Sequence, residues 1–162
     1  MTTYVVACRT EWGLKAFAQR RSRLPGRWVV LTDKADLTLD ALKALQPRYV
    51  FFPHWSWIVP PPITSAYECV CFHMTDVPYG RGGSPLQNLI AAGQVDTMLT
   101  ALRMDEGTDT GPVYMKAPMS LSGAAADVYA RAADLSFDLL ERIVAEPAIS
   151  KNVRELAERA LA

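Results

Sequence analysis

Long apolar runs are missing from this 162-residue chain. None approaches the roughly 20 residues that a bilayer-spanning helix requires, which excludes a membrane-spanning helix. Met1 to Cys8 also lacks a basic stretch followed by an apolar one, so no secretory leader is expected. Neither sign of charge is in excess. Lys+Arg and Asp+Glu stand at 17 each, and that balance predicts no electrostatic attraction to nucleic acid. Cysteine is scarce and odd in number, with three residues in a chain long enough to bury its own core. Reduced thiols in a cytoplasm are the simplest account. Internal repeats and low-complexity segments are absent, as are a CxxC pair and an HExxH helix. Tyr4 to Phe17 contains no glycine-rich phosphate loop of the P-loop or dinucleotide type.

What is present is an alternation of short β-rich and helical segments. Thr3 to Cys8, Trp28 to Leu31 and Tyr49 to Phe52 read as buried strands. Between them, Trp12 to Arg20 reads as a helix with Leu14, Phe17 and Ala18 toward the core. Leu37 to Leu45 reads as another, stopping ahead of Pro47. The cluster Arg20, Arg21 and Arg23 is read as a solvated helix end. The segment PHWSWIVPPP, with its prolines in a row, predicts neither regular helix nor central strand. Glu68 to His73 is a further strand. Ser84-Pro85 offers an N-cap and a first-position proline for a helix that Gly93 closes. Thr97 to Arg103 and Pro112 to Ala117 read as strands. Ala124 to Val144 is an amphipathic helix carrying Val128, Ala132, Leu135, Leu139 and Ile143 on one face. Lys151 to Ala162 reads as one or two last helical turns. The alternation implies an α/β domain, its parallel sheet covered on both faces.

The chemistry-bearing residues concentrate between Cys71 and Met115. CFHMTDVPYGRGGSPLQNLI is followed, after a short linker, by LRMDEGTDTGPVYM. This order resembles the catalytic core of the folate-dependent formyltransferases. The first block of that family reads roughly Asn-x-His-x-Ser-Leu-Leu-Pro-x-x-Arg-Gly and its second Met-Asp-x-Gly-x-Asp-x-Gly. His73, Thr75, Pro78, Arg81 and Gly82 stand in step with the first block. Met104, Asp105, Gly107, Asp109 and Gly111 stand in step with the second. Cys71 stands where the family has asparagine. The resemblance covers about residues 49–144. It implies a Rossmann-like three-layer sandwich with a mostly parallel sheet, a single catalytic domain over residues 1–162, and formyl-tetrahydrofolate as cofactor. The reaction implied is transfer of a formyl group to a primary amine.

By that resemblance His73 and Asp109 match the catalytic pair. Histidine titrates nearest neutral pH, and a carboxylate beside it favours the protonated form that can donate to an oxyanion. Cys71 is expected to lie on the strand face of His73, with Cys69 beside them. In the family the residue at 71 is an amide that donates to the formyl oxygen, and a thiol is a weaker donor. Three accounts remain open for Cys71: a slower or altered transferase, a nucleophile activated by His73 in an acyl transferase or hydrolase, and a non-catalytic folate- or metabolite-binding homologue. Cys69, Cys71 and His73 could share a metal with Asp109 or His54, but no metal is expected.

Trp55, Trp57 and Ile58 align with the family loop that lines the pterin pocket, and Asp105 and Gly107 belong to the cofactor side. Arg81 and Tyr79 are candidates for the acceptor side, and His54 is expected to be structural. The acceptor is expected to be a small-molecule amine, an amino sugar or a modified amino acid. A purine precursor or a transfer RNA is not expected, because the phosphate loop and a carboxy-terminal domain are missing. Oligomerisation is left open.

Overall fold

The computed structural model describes residues 1–80 and 85–161. Among the described residues, six strands form one sheet: β1 (Thr3–Ala7), β2 (Arg27–Leu31), β3 (Tyr49–Phe52), β4 (Cys69–His73), β5 (Asp96–Arg103) and β6 (Val113–Ser120). Their order is β2-β1-β3-β4-β5-β6. The β1–β2, β1–β3 and β3–β4 pairs are parallel, whereas β4–β5 and β5–β6 are antiparallel. Around the sheet lie α1 (Glu11–Arg20), α2 (Leu39–Leu45), α3 (Pro61–Ala66), α4 (Pro85–Ala91), α5 (Ala125–Ala145) and α6 (Pro147–Leu161). The expected three-layer α/β sandwich is the architecture found. The β5–β6 connection contains no helix and returns the chain alongside itself as an antiparallel neighbour.

Strand alternation divides the core. Tyr4, Val6, Phe51, Val70 and Phe72 pack with Phe17, Phe137, Leu140 and Ile143 on the α1, α5 and α6 side. Val5, Ala7, Val50, Phe52 and Cys69 pack with Leu42 and Ile63 on the α2 and α3 side. The central strands β1, β3 and β4 are hydrophobic on both faces because both are covered.

Four sequence expectations are corrected. Pro61 and Pro62 begin α3 instead of excluding it, because the first helical turn has no use for the missing N–H groups. Ala18 faces solvent, and Ala16 takes the core position next to Phe17. Arg20 is not solvated: it is 8% exposed and pairs with Asp134 at 3.2 Å, Asp138 at 3.0 Å and Glu141 at 3.4 Å. It joins α1 to α5, so its charge serves helix packing. The tail forms the 15-residue α6, which buries Val153 and bonds Ser150 Oγ to the Tyr49 hydroxyl.

Among the described residues α4 runs from Pro85, and Gly93 takes φ +79°, the left-handed geometry of a helix stop. Ser84, the expected N-cap, lies outside the described residues.

Candidate functional site

A cleft of about 640 Å³ opens at the carboxyl ends of β1, β3 and β4. Strand order reverses between β1 and β3 there, the place where open α/β sheets accept ligands. Cys71, His73, Asp109, Trp55, Trp57 and Ile58 all line it. The structure therefore brings together the residues proposed as a catalytic group and most of those proposed for the cofactor.

His73 is the last residue of β4 and is buried. Its Nδ1 lies 3.3 Å from Asp109 Oδ2, and its Nε2 lies 2.6 Å from the Gly80 carbonyl oxygen. Both neighbours can only accept. A neutral imidazole donates to one of them, whereas a protonated ring donates to both. The geometry thus presents His73 as a donor.

Asp109 arrives from the loop 104–112, which folds back over β4. Met104 N–H bonds the Cys69 carbonyl at 2.9 Å at the near end of the strand, and Asp109 meets His73 at its far end. Asp109 itself has φ +54°, a left-handed conformation that aspartate tolerates better than most residues. Gly111 closes the loop so tightly that a Cβ there would lie 1.8 Å from the Arg103 carbonyl oxygen. A side chain at 111 would push the loop off the sheet.

Asp105 Oδ1 accepts from Gly107 N–H at 2.9 Å and from Thr110 Oγ1 at 2.8 Å, so this carboxylate shapes the loop. Asp105 and Gly107 line a hollow of about 300 Å³ that continues the cleft past Trp57, Cys71 and Met104.

Cys71 borders both spaces. Burial, reinforced by the nearby Asp109 and Asp105 carboxylates, pushes its thiol pKa far above the ordinary range. Such a sulfur stays protonated at neutral pH, the opposite of what an activated nucleophile requires. Cys69, beneath it, is driven up to about 12, chiefly by burial. Among the described residues, no group of three or more His, Cys, Asp or Glu could hold a metal ion.

Tyr79 does not join the cleft. A turn with Tyr79 N–H on the Asp76 carbonyl at 3.0 Å reverses the chain and leaves the ring 75% exposed. It lines a separate hollow with Asp76, Asp96 and Ser120. Arg81 lies outside the described residues.

The sequence reading missed one wall of the cleft. Thr10, Trp12, Gln87 and Tyr129 line it, with Trp12 stacked on Tyr129 at 5.2 Å and Gln87 Nε2 donating to the Tyr129 hydroxyl at 2.7 Å. Tyr129 sits one residue past Val128 on α5, where periodicity reports the core face and is silent about its flank. His54 also lines the cleft, at φ +58°. Burial lowers its pKa, and its Nε2 and the adjacent Trp55 Nε1 are buried without hydrogen-bond partners.

The sequence model of the formyl transferase family matches residues 30–143. The chain belongs to that family. A methionyl-tRNA formyltransferase of Marinobacter nauticus is 32% identical over 106 residues, which make up 63% of this chain and 34% of the relative. A methionyl-tRNA formyltransferase structure from Clostridium thermocellum superposes with a TM-score of 0.85 at 36% identity, covering 90% of this chain and 65% of that one. Glycinamide ribonucleotide transformylase 1 from Symbiobacterium toebii shares the fold, with a TM-score of 0.72 at 17% identity over 89% of this chain and 86% of its own. This formyl transferase chain spans about a third of the length of the curated relatives it matches.

Proposed function

We propose that this protein transfers a formyl group from formyl-tetrahydrofolate to a primary amine of a small molecule, an amino sugar or a modified amino acid. The observation that carries the reading is the His73–Asp109 contact at 3.3 Å in the cleft at the strand ends, next to the Trp55–Trp57 wall. Family membership supports the reaction class.

The cofactor fits the residues present. A pterin is flat and polar along one edge. The cleft and its 300 Å³ continuation provide Trp57, Ile58, Leu102 and Met104 as apolar walls and the 105–110 backbone as a polar rim. The unpartnered Trp55 Nε1 leaves a donor on the same wall. When bound, formyl-tetrahydrofolate would supply the activated formyl carbon.

His73 would exchange the Gly80 carbonyl for the formyl oxygen as its Nε2 partner and donate to that oxygen as charge gathers on it. Asp109 would hold Nδ1–H and fix the ring. It would also stabilise the positive charge of a ring that donates from both nitrogens, and it would relay the proton of the incoming amine to water. Cys71 would offer a weak S–H donor in the place of the family's amide. Losing an oxyanion donor costs about 10²–10³ in rate, so transfer should be slower than with asparagine at 71.

A small acceptor is preferred over a transfer RNA, although the curated relatives carry the transfer-RNA name. Balanced charge favours no polyanion, and Trp12, Gln87 and Tyr129 wall in one side of the cleft. We assign the protein to the cytoplasm, where three free cysteines remain reduced. Among the described residues no helix is long and apolar enough to cross a membrane.

Cys71 also favours a second reading, a homologue that binds folate without turning it over. Calorimetry with 5-formyl-tetrahydrofolate, followed by a transfer assay with 10-formyl-tetrahydrofolate and a panel of amines, separates the two. Binding with His73-dependent transfer supports the enzyme. Binding alone supports the homologue, and no binding rejects both.

A further inference from the structure

We propose that Lys116 is a positioning residue for His73. It clamps the turn 75–80, whose last carbonyl occupies the His73 donor nitrogen until a formyl donor displaces it. The clamp is a row of side chains across the sheet. His73 on β4 pairs with Thr100 on β5, and Thr100 pairs with Lys116 on β6. Directly opposed residues of antiparallel strands project to one face, so the three stand side by side over about 10 Å. Each takes hold of the same turn. Thr100 Oγ1 donates to the Thr75 carbonyl at 2.8 Å. Lys116 Nζ donates to Asp76 Oδ1 at 2.5 Å and to the Val77 carbonyl at 2.7 Å. His73 Nε2 meets the Gly80 carbonyl at 2.6 Å. That oxygen only accepts, so Nε2 carries the proton in this contact.

The turn carries the hold from residue 76 to residue 80. Tyr79 N–H bonds the Asp76 carbonyl at 3.0 Å. Gly80 takes φ +64°, and a Cβ there would lie 2.5 Å from Thr75 Cγ2, so the turn closes on its own first residue. Thr75 and Thr100 are buried. The Lys116 grip is open to solvent, with 29% of its side chain and 53% of that of Asp76 exposed. An exposed ion pair holds less firmly than a buried bond, so this grip is the one that can yield without disturbing the core.

Both ring nitrogens of His73 are therefore held, Nδ1 by Asp109 and Nε2 by Gly80. A formyl oxygen that needs Nε2 competes with the Gly80 carbonyl. The fraction of molecules in which the turn has moved aside scales the apparent affinity for the donor, and Lys116 sets that fraction. The clamp is a property of the free protein and stands apart from the proposed function, whereas the displacement by a formyl donor rests on it.

The chain has two histidines, so His54 serves as the internal control for His73. The unmodified protein, Lys116→Met and Lys116→Arg are treated with diethyl pyrocarbonate at neutral pH. Carbethoxylation of each histidine is followed by peptide mass spectrometry, beside a thermal melt of each protein. Lys116→Met keeps the length of the side chain and removes its charge and donors. There His73 should react about tenfold faster, with His54 at its former rate. Lys116→Arg should restore the slow rate, because a guanidinium also donates to a carboxylate and a carbonyl. The KM for 10-formyl-tetrahydrofolate should fall by about threefold or more in Lys116→Met, whereas a merely structural loss would raise it. Equal His73 rates in the three proteins, or a joint rise at His73 and His54, would overturn the clamp. A KM that does not fall would overturn the displacement. If none of the three proteins transfers formyl, the proposed function fails and the His73 rates decide the clamp by themselves.

Discussion

Asp109 reaches His73 from the opposite end of β4, carried there by a loop that begins beside Cys69. The contact depends on three local features: the Met104–Cys69 backbone bond, the Asp105 bonds that shape the loop, and the close approach at Gly111. Asp109→Asn keeps the shape and removes the charge. Formyl transfer should fall by about 10²–10⁴, with the melting temperature little changed, because a group that assists proton transfer contributes on that scale. Steady-state rates and a thermal melt on the same preparation check this. An unchanged rate would remove Asp109 from the mechanism.

Cys71 distinguishes two chemistries. As an oxyanion donor it should be improved by Cys71→Asn, which restores an N–H, and little altered by Cys71→Ser. Its raised thiol pKa also predicts slow alkylation by iodoacetamide at pH 8. A covalent acyl mechanism predicts the reverse: Cys71→Asn inactive and an acyl adduct visible by mass spectrometry.

The core and the order of elements along the chain were largely legible because buried strands and amphipathic helices repeat with fixed periods. Val128, Ala132, Leu139 and Ile143 are buried as their spacing predicts. His73, Asp109 and the Trp55–Trp57 segment were legible through motif order, which local propensity alone does not explain. Arg20 was misread for a physical reason. A charged or polar aromatic residue carries no local sign of its partner, and Arg20 is buried by Asp134, Asp138 and Glu141, more than a hundred positions away. Trp12, Gln87 and Tyr129 were missed because three separate helices bring them together.

Trp57 lies between the cleft and its continuation. A reduced folate should quench tryptophan fluorescence, and Trp57→Ala should weaken folate binding by about tenfold or more, the loss of one buried aromatic wall. Saturating folate with no fluorescence change and no heat would argue against a pterin pocket.

Glu68 begins a network remote from the cleft. Its carboxylate takes Arg48 Nη1 at 2.8 Å and the buried Tyr114 hydroxyl at 2.6 Å. Glu68→Ala leaves that hydroxyl without its acceptor and should cost about 1–3 kcal/mol in urea unfolding. Folate affinity should not change. A loss of binding without loss of stability would mean that this network serves the site.

His54 gives the fold a pH dependence. Burial lowers its pKa from 6.5, so below that value the unfolded chain takes up a proton that the folded one resists. The contribution is present above pH 6.5 and is lost as pH falls toward the folded value. The melting temperature should drop between about pH 7 and pH 5, and less steeply in His54→Asn, which tolerates the left-handed backbone. Parallel pH slopes for the two proteins would contradict this.

The central claim is formyl transfer at His73, and the most direct test follows the formyl carbon itself. The protein is incubated with 10-formyl-tetrahydrofolate labelled in that carbon and with a pool of small primary amines, amino sugars included. Products are then resolved by mass spectrometry. The account predicts a labelled amide on a small amine, formed by the unmodified protein and absent with His73→Ala. Label that stays on the folate in both, or moves equally well without the His73 imidazole, would contradict it.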